Sequence, residues 1–406
     1  MTDNAHPYTD LPPHRFWKSG VADHTPRTIE NLYERKFEIA KTDRVATAGS
    51  CFAQHVARHM KARGFSILDV EPPVPGMTEE TAQRFGYGIY SARYANIYTV
   101  RQLRQLVEDA INLQTCGDDA TSKARTLRDE DVMERDGRYF DGLRPNVEPE
   151  GFATPEEVKK SREAHLNRVY EMFTSMDVFV FTLGLTETWR NRRTGTVYPV
   201  CPGVLAGTYS DEVYQFYNMT HADCLADFEA VRAHLRSINP ALKTLITVSP
   251  VPLTATASED HVLTATTYSK SVLRGVCGEL SATHDDVDYF PSYELITAPF
   301  ARGRFFAENM RSVTERGVAN VMRVFFAAHD PDGARKGAAA TAKPKPARKG
   351  GAGAGKRAGK TALDREARIA ARKAERKSRR QAEQVEADTD NDDLVCEEEL
   401  LDAFRK

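Results

Sequence analysis

One hexapeptide carries the strongest chemical signal in the chain. In Ala48-Gly49-Ser50-Cys51-Phe52-Ala53, a serine stands where a short apolar run, Arg44 to Gly49, gives way to Phe52, Val56, His59 and Met60 at helical spacing. A serine at a strand-to-helix junction presents its hydroxyl at the carboxyl edge of a sheet. The N–H groups after it open a helix, which suits an anionic oxygen. Ser50 therefore reads as a nucleophile, with a plain helix cap as the competing role.

A nucleophilic serine needs a base. His55 follows Ser50 by five residues, and on a helix that spacing turns it away from the serine. His261 falls in the loop after Pro250-Val-Pro252, on the same edge of the expected sheet. Glu294, after the last expected strand, or Glu187, after the third, would orient it. Ser50, His261 and Glu294 thus make a candidate triad. The alternative for His261 is an exposed loop residue. Lys270, in Thr266-Thr-Tyr-Ser-Lys-Ser271, is a base if burial lowers its pKa, and otherwise a helix-surface residue or an anion contact. Arg93, Arg274 and Arg311 are candidates for a phosphate or carboxylate. Trp189 either floors a sugar site or packs in the core. Cys51 lacks a flanking base and reads as a packed thiol.

These groups are placed by a repeating pattern of strands and helices. Apolar runs at 44–49, 64–72, 177–183, 244–249 and 287–293 read as strands. Amphipathic stretches at 96–113, 155–176, 224–238, 264–283 and 312–328 read as helices. Strand and helix alternate, and the uninterrupted apolar strands fit a sheet covered on both faces. The expectation is an α/β fold with a doubly wound parallel five-stranded sheet. Ligands in such folds bind beyond the carboxyl ends of the strands. The polar residues 114–150 read as a surface insertion.

Several stretches around these positions resemble the GSCFA-domain family. They are AGSCFAQHVARHM (48–60), SARYANIYT (91–99), FVFTLGLTETW (179–189), TVSPVPLTAT (247–256), TTYSKSVLR (266–274) and YFPSYELI (289–296). The resemblance covers about residues 5–328. That family is similar to the SGNH/GDSL hydrolases and acyltransferases, which implies a flavodoxin-like, SGNH-hydrolase-like sandwich with Ser50 as nucleophile. It also implies an oxyanion hole from the Ser50 N–H, Gly184 and an amide. The GxND pattern expected after the third strand reads Thr182-Leu-Gly184-Leu-Thr-Glu187, without the Asn. Asn96 is the nearest substitute, or else a helix N-cap. Asn309 and Ser312 stand where GDSL enzymes carry Asp-x-x-His. Cys51, Asn96, Gly184, Glu187, Lys270, Arg93 and Arg311 are grouped as oxyanion or substrate contacts. The implied activity is that of a serine esterase or O-acyltransferase on an O-acyl, foremost acetyl, group of a carbohydrate or similar polar substrate. The alternative is a carbohydrate- or anion-binding module that has lost turnover.

Composition divides the chain unevenly. Residues 335–380 hold 17 Lys+Arg against three Asp+Glu, while 381–406 hold ten Asp+Glu and two Lys+Arg. The expected organisation is an N-terminal arm (1–40), the main domain (41–330), a disordered Lys/Arg/Ala-rich tail (331–390) and an acidic terminal segment (391–406) able to form a short helix. The basic stretch 335–380 reads as a polyanion contact or a solvated tail. Six scattered Cys without CxxC spacing argue against a zinc site or disulfide framework, and fit a reducing compartment. No secretory signal or membrane span is expected, so the expected location is cytoplasmic. The expected partners are a small-molecule or glycan substrate and an acyl donor. No motif demands a metal or cofactor.

Overall fold

Four of the five apolar runs become neighbouring parallel strands. The computed structural model describes residues 6–332 except 118, 120–122, 124 and 125, together with 400 and 401. In chain order the strands are β1 Val45–Gly49, β2 Val132–Arg135, β3 Arg138–Asp141, β4 Val178–Leu183, β5 Glu187–Asn191, β6 Val197–Tyr198, β7 Tyr214–Asn218, β8 Lys243–Val248 and β9 Val287–Tyr289. The helices are α1 Phe52–Ala62, α2 Glu79–Arg84, α3 Val100–Thr115, α4 Pro155–Ser175, α5 His221–Ile238, α6 Val262–Thr283, α7 Ser292–Thr297 and α8 Glu315–His329. The central sheet runs β1-β4-β8-β9, all parallel.

Strand periodicity divides the core into two layers. Ala46, Ala48, Phe179, Phe181, Ile246 and Val248 face one way and pack with α3, α4, α5 and α6. Val45, Val178, Val180 and Leu245 face the other way and pack with α1, α7 and α8. Both faces are covered, which explains why these strands read as continuous apolar runs. Helix starts follow local chemistry. Thr99 and Gln102 form a reciprocal capping box on α3, and Thr154 caps α4 with Pro155 in its first turn.

Three expectations need correction. The run 64–72 is not a fifth strand; it contributes one isolated parallel bridge, Ile67 to Val45. Asp69 and Glu71 in that run turn to polar partners, and Glu71 holds His165 at 2.7 Å. The last strand ends at Tyr289 rather than 293, because Pro291 ends the run and Ser292 opens α7. Residues 114–150 are not merely a surface insertion. They supply the β2–β3 hairpin and half of a buried ion network. Arg128 bridges Asp109 and Asp131, Arg144 binds Asp141 at 2.8 Å, and Arg162 of α4 reaches Asp109 at 2.7 Å. Burial of these charges is tolerable only because each is paired.

A second sheet was not anticipated. Strands β6-β5-β7 form a three-stranded antiparallel sheet after β4. The N-terminal segment is anchored on the domain. Ile29 and Ile39 are buried, and Tyr33 donates to Asp288 at 2.8 Å. No helix among the described residues is long and apolar enough to cross a membrane. The expected tail 331–390 lies outside the described residues apart from 331 and 332, and the segment 391–406 apart from 400 and 401.

Candidate functional site

Ser50 stands between the end of β1 and the start of α1, as its sequence context requires. Gly49 makes the junction feasible. Its φ is 134°, and a Cβ there would strike the Thr182 backbone of the adjacent strand. Ser50 does not cap the helix: Cys51 occupies the N-cap position, and no side chain caps α1. The Ser50 side chain is buried, 3% exposed, and its Oγ has no hydrogen-bond partner among the described residues. A buried hydroxyl left unpaired costs about 1–3 kcal/mol, so such a group calls for an explanation.

Gly184 packs against it. A Cβ on Gly184 would lie 2.9 Å from Ser50 Cβ and 3.1 Å from the Tyr98 carbonyl. Only a glycine lets β4's end approach the serine this closely. The Gly184 carbonyl accepts a 2.7 Å hydrogen bond from Lys270 Nζ, and Lys270 is 2% exposed. Lys270 is therefore no helix-surface residue. It lies on the buried stripe of α6 with Leu273, Cys277 and Leu280. Its neighbour Ser269 accepts from the Thr186 N–H at 3.0 Å, tying α6 to the chain leaving β4.

The amide expected from the third-strand block is replaced by a polar network on the other flank. Asn96 is buried, and its Oδ1 accepts from Tyr90 and from Gln54. Tyr90 also donates to the Ser50 carbonyl at 3.0 Å. Asn96 is not the helix cap; Thr99 is.

The backbone donors implied by the family resemblance are engaged elsewhere. The Ser50 N–H donates to Thr182 O at 3.1 Å, and the Gly184 N–H donates to Tyr98 O at 3.1 Å. What remains for a developing anion is the positive end of α1.

The expected His261–Glu294 pair is not assembled. His261 is exposed and caps α6, its Nδ1 accepting from the Leu263 N–H at 3.1 Å. Glu294 instead holds Arg274 at 2.6 Å and Tyr289 at 2.8 Å. Glu187 accepts from Thr256 at 2.7 Å, and burial raises its carboxyl above the ordinary range. His55 is buried against Phe52, and burial pushes its pKa down to about 4. Arg93 ties loops together through Phe85 O, Val147 O and Glu148, with Tyr87 under its guanidinium. Asn309 and Ser312 close a turn on each other at 2.9 Å, with Arg311 between them. Cys51 is buried and forms no disulfide with another described residue.

Beyond the sheet's carboxyl edge opens a cleft of about 610 Å³. Leu185, Trp189, Tyr209, Phe216 and Leu253 line it, with Glu187 among the lining residues. Trp189 meets Tyr209 and Phe216 edge-on at 5.3 and 5.8 Å. Sequence reasoning missed the cleft, because most of its wall comes from the unforeseen strands β5 and β7 and from residues 199–209 between β6 and β7. Leu185 joins the cleft to the serine: it follows Gly184 and packs with Tyr98 and Leu253. Among the described residues no three His, Cys, Asp or Glu side chains converge as a metal-binding set.

Comparison with curated proteins and with solved structures finds no match. Comparison with protein families matches residues 44–325, which include β1 through most of α8 and every residue around Ser50. On that match the chain belongs to the GSCFA family.

Proposed function

We propose that this protein is a serine esterase or O-acyltransferase that uses Ser50 as nucleophile and Lys270 as its base. The reading rests on one observation above the others: the buried Ser50 hydroxyl has no partner among the described residues and stands beside the Gly184 peptide that holds Lys270. In the proposed reaction, unprotonated Lys270 takes the Ser50 proton as Oγ bonds to the acyl carbon. The ester C–O bond then breaks, and the leaving alkoxide takes that proton from Lys270. Water or an acceptor hydroxyl, deprotonated by Lys270, then attacks the acyl carbon, the bond from that carbon to Ser50 Oγ breaks, and Oγ takes the proton back from Lys270. Positive charge at the start of α1 favours the tetrahedral oxyanion. A Ser–Lys pair can replace Ser–His–Asp on unrelated folds.

We read the architecture as an SGNH-like sandwich, on one feature of the sheet edge. Val45 pairs with Val178 on one side and bridges Ile67 on the other, so residue 67 runs where a second strand of a flavodoxin-like sheet would lie. The substrate class we favour is an O-acetylated carbohydrate or similar polar molecule, with an acyl donor where the reaction is a transfer and cytoplasm as the setting. In this reading residues 335–380 contact a polyanion. The test is a chromogenic acetyl ester mixed with wild type and Ser50→Ala. A burst stoichiometric with protein, absent in Ser50→Ala, is expected. Equal rates in both proteins would contradict the proposal.

A second reading, a binding module without turnover, has its own support. The Ser50 and Gly184 N–H groups are spent on backbone carbonyls, while the open cleft presents Trp189. In that case a bound sugar persists unmodified and no burst occurs.

A further inference from the structure

The apolar cleft is walled by the β4–β5, β6–β7 and β8–α6 connections, by β5 and β7, and by one residue from far along the chain. Leu401 lines it, 69 positions after Asp332, where the domain ends in the described structure. Leu401 is partly buried, whereas its neighbour Leu400 is 42% exposed. The pair therefore presents one side chain to the cleft and one to solvent.

The sequence supplies a reason for this occupant. Residues 334–390 contain almost no large apolar side chains, and Leu394, Val395, Leu400, Leu401 and Phe404 then gather within a few positions. The intervening Lys/Ala/Gly/Pro-rich sequence is long enough. A connection of 69 positions, at up to about 3.3 Å each, has reach well beyond the length of the central strands. An apolar group tethered in this way meets the cleft at a high effective concentration. The cleft offers what a leucine side chain needs: Leu185, Val204, Leu253 and the rings of Trp189, Tyr209 and Phe216.

We infer that the cleft is a docking groove for the chain's own C-terminal segment, anchored by Leu401. Docking there places Leu401 in the same cleft as Leu185, the residue after the Gly184 that approaches Ser50. Leu401 thereby fills part of the space that an apolar ligand would take. This inference does not depend on turnover at Ser50.

Trp189 and Trp17 are the only two tryptophans, and Trp17 is exposed on the N-terminal segment. In a full-length Trp17→Phe protein, the indole fluorescence therefore reports the cleft alone. Adding Leu401→Asp should shift Trp189 emission to the red and remove its protection from acrylamide quenching, with an unchanged far-ultraviolet circular dichroism spectrum. Leu400→Asp should change little. Spectra and quenching that are identical in the Leu401→Asp and parent proteins would overturn the inference. Docking within one chain requires a signal that does not change on dilution. A signal that falls on dilution would assign the groove to a second copy and overturn docking in cis.

Discussion

Gly184 and Ser50 approach so closely that a methyl group on the glycine would sit 2.9 Å from the serine Cβ. The contact joins the two strand ends that carry the site. The carbonyl of the same glycine accepts a 2.7 Å hydrogen bond from Lys270 Nζ. Gly184→Ala should therefore destabilise the fold by about 1–3 kcal/mol, as an overpacked core position does. Chemical denaturation measures this. Ser50→Gly in the same chain should restore part of the loss, because it removes one of the clashing atoms. A neutral Gly184→Ala would mean that the two strand ends are further apart than described.

The ion network behind the site should be sensitive to the loss of a single member. Arg162 is buried between Asp109 at 2.7 Å and Asp141 at 3.6 Å. Arg162→Met leaves these buried carboxylates short of a partner and should cost about 3–5 kcal/mol in equilibrium unfolding. A cost within the range of a surface substitution would show that the network is hydrated and weak.

Buried histidines should make the protein acid-sensitive. Burial pushes His55 and His329 from 6.5 down to about 4. Nδ1 of His329 accepts from the Ile39 N–H at 3.3 Å, so a proton there would break that bond. Between pH 4 and 6.5 the unfolded chain binds the protons and the folded chain does not. Stability therefore falls as pH drops through this window, by up to about 1.4 kcal/mol per pH unit for each histidine, and this contribution flattens below pH 4. Denaturation at a series of pH values should show a shallower slope for His329→Gln by about one proton. Equal slopes in the two proteins would remove His329 from the account.

The sequence exposed the framework better than it exposed the surroundings of Lys270, the proposed base. Strands β1, β4 and β8 were legible because both faces are buried, which leaves continuous apolar runs. Ser50 was legible because Gly49 and the helical spacing after it mark the junction. The fifth strand misled because the apolar residues of 64–72 pack along an edge while Asp69 and Glu71 seek polar partners. Position on the sheet edge says nothing about orientation: His261 is exposed and its Nδ1 caps α6 rather than meeting Glu294. Lys270 had a usable signal. It falls three and seven residues before Leu273 and Cys277, on the apolar stripe of α6, where a charged side chain is buried or misplaced. The cleft had no such signal, because β5 and β7 are short, half-polar strands whose antiparallel pairing is long-range.

The most direct test of the central claim is covalent labelling by a fluorophosphonate, read by intact mass, across four proteins: wild type, Ser50→Ala, Lys270→Met and His261→Ala. The account predicts one label on wild type and on His261→Ala, none on Ser50→Ala, and labelling slowed at least about 100-fold in Lys270→Met, as expected when a general base is removed. A folded wild type that takes no label, or a Lys270→Met protein that labels at the wild-type rate, would contradict it.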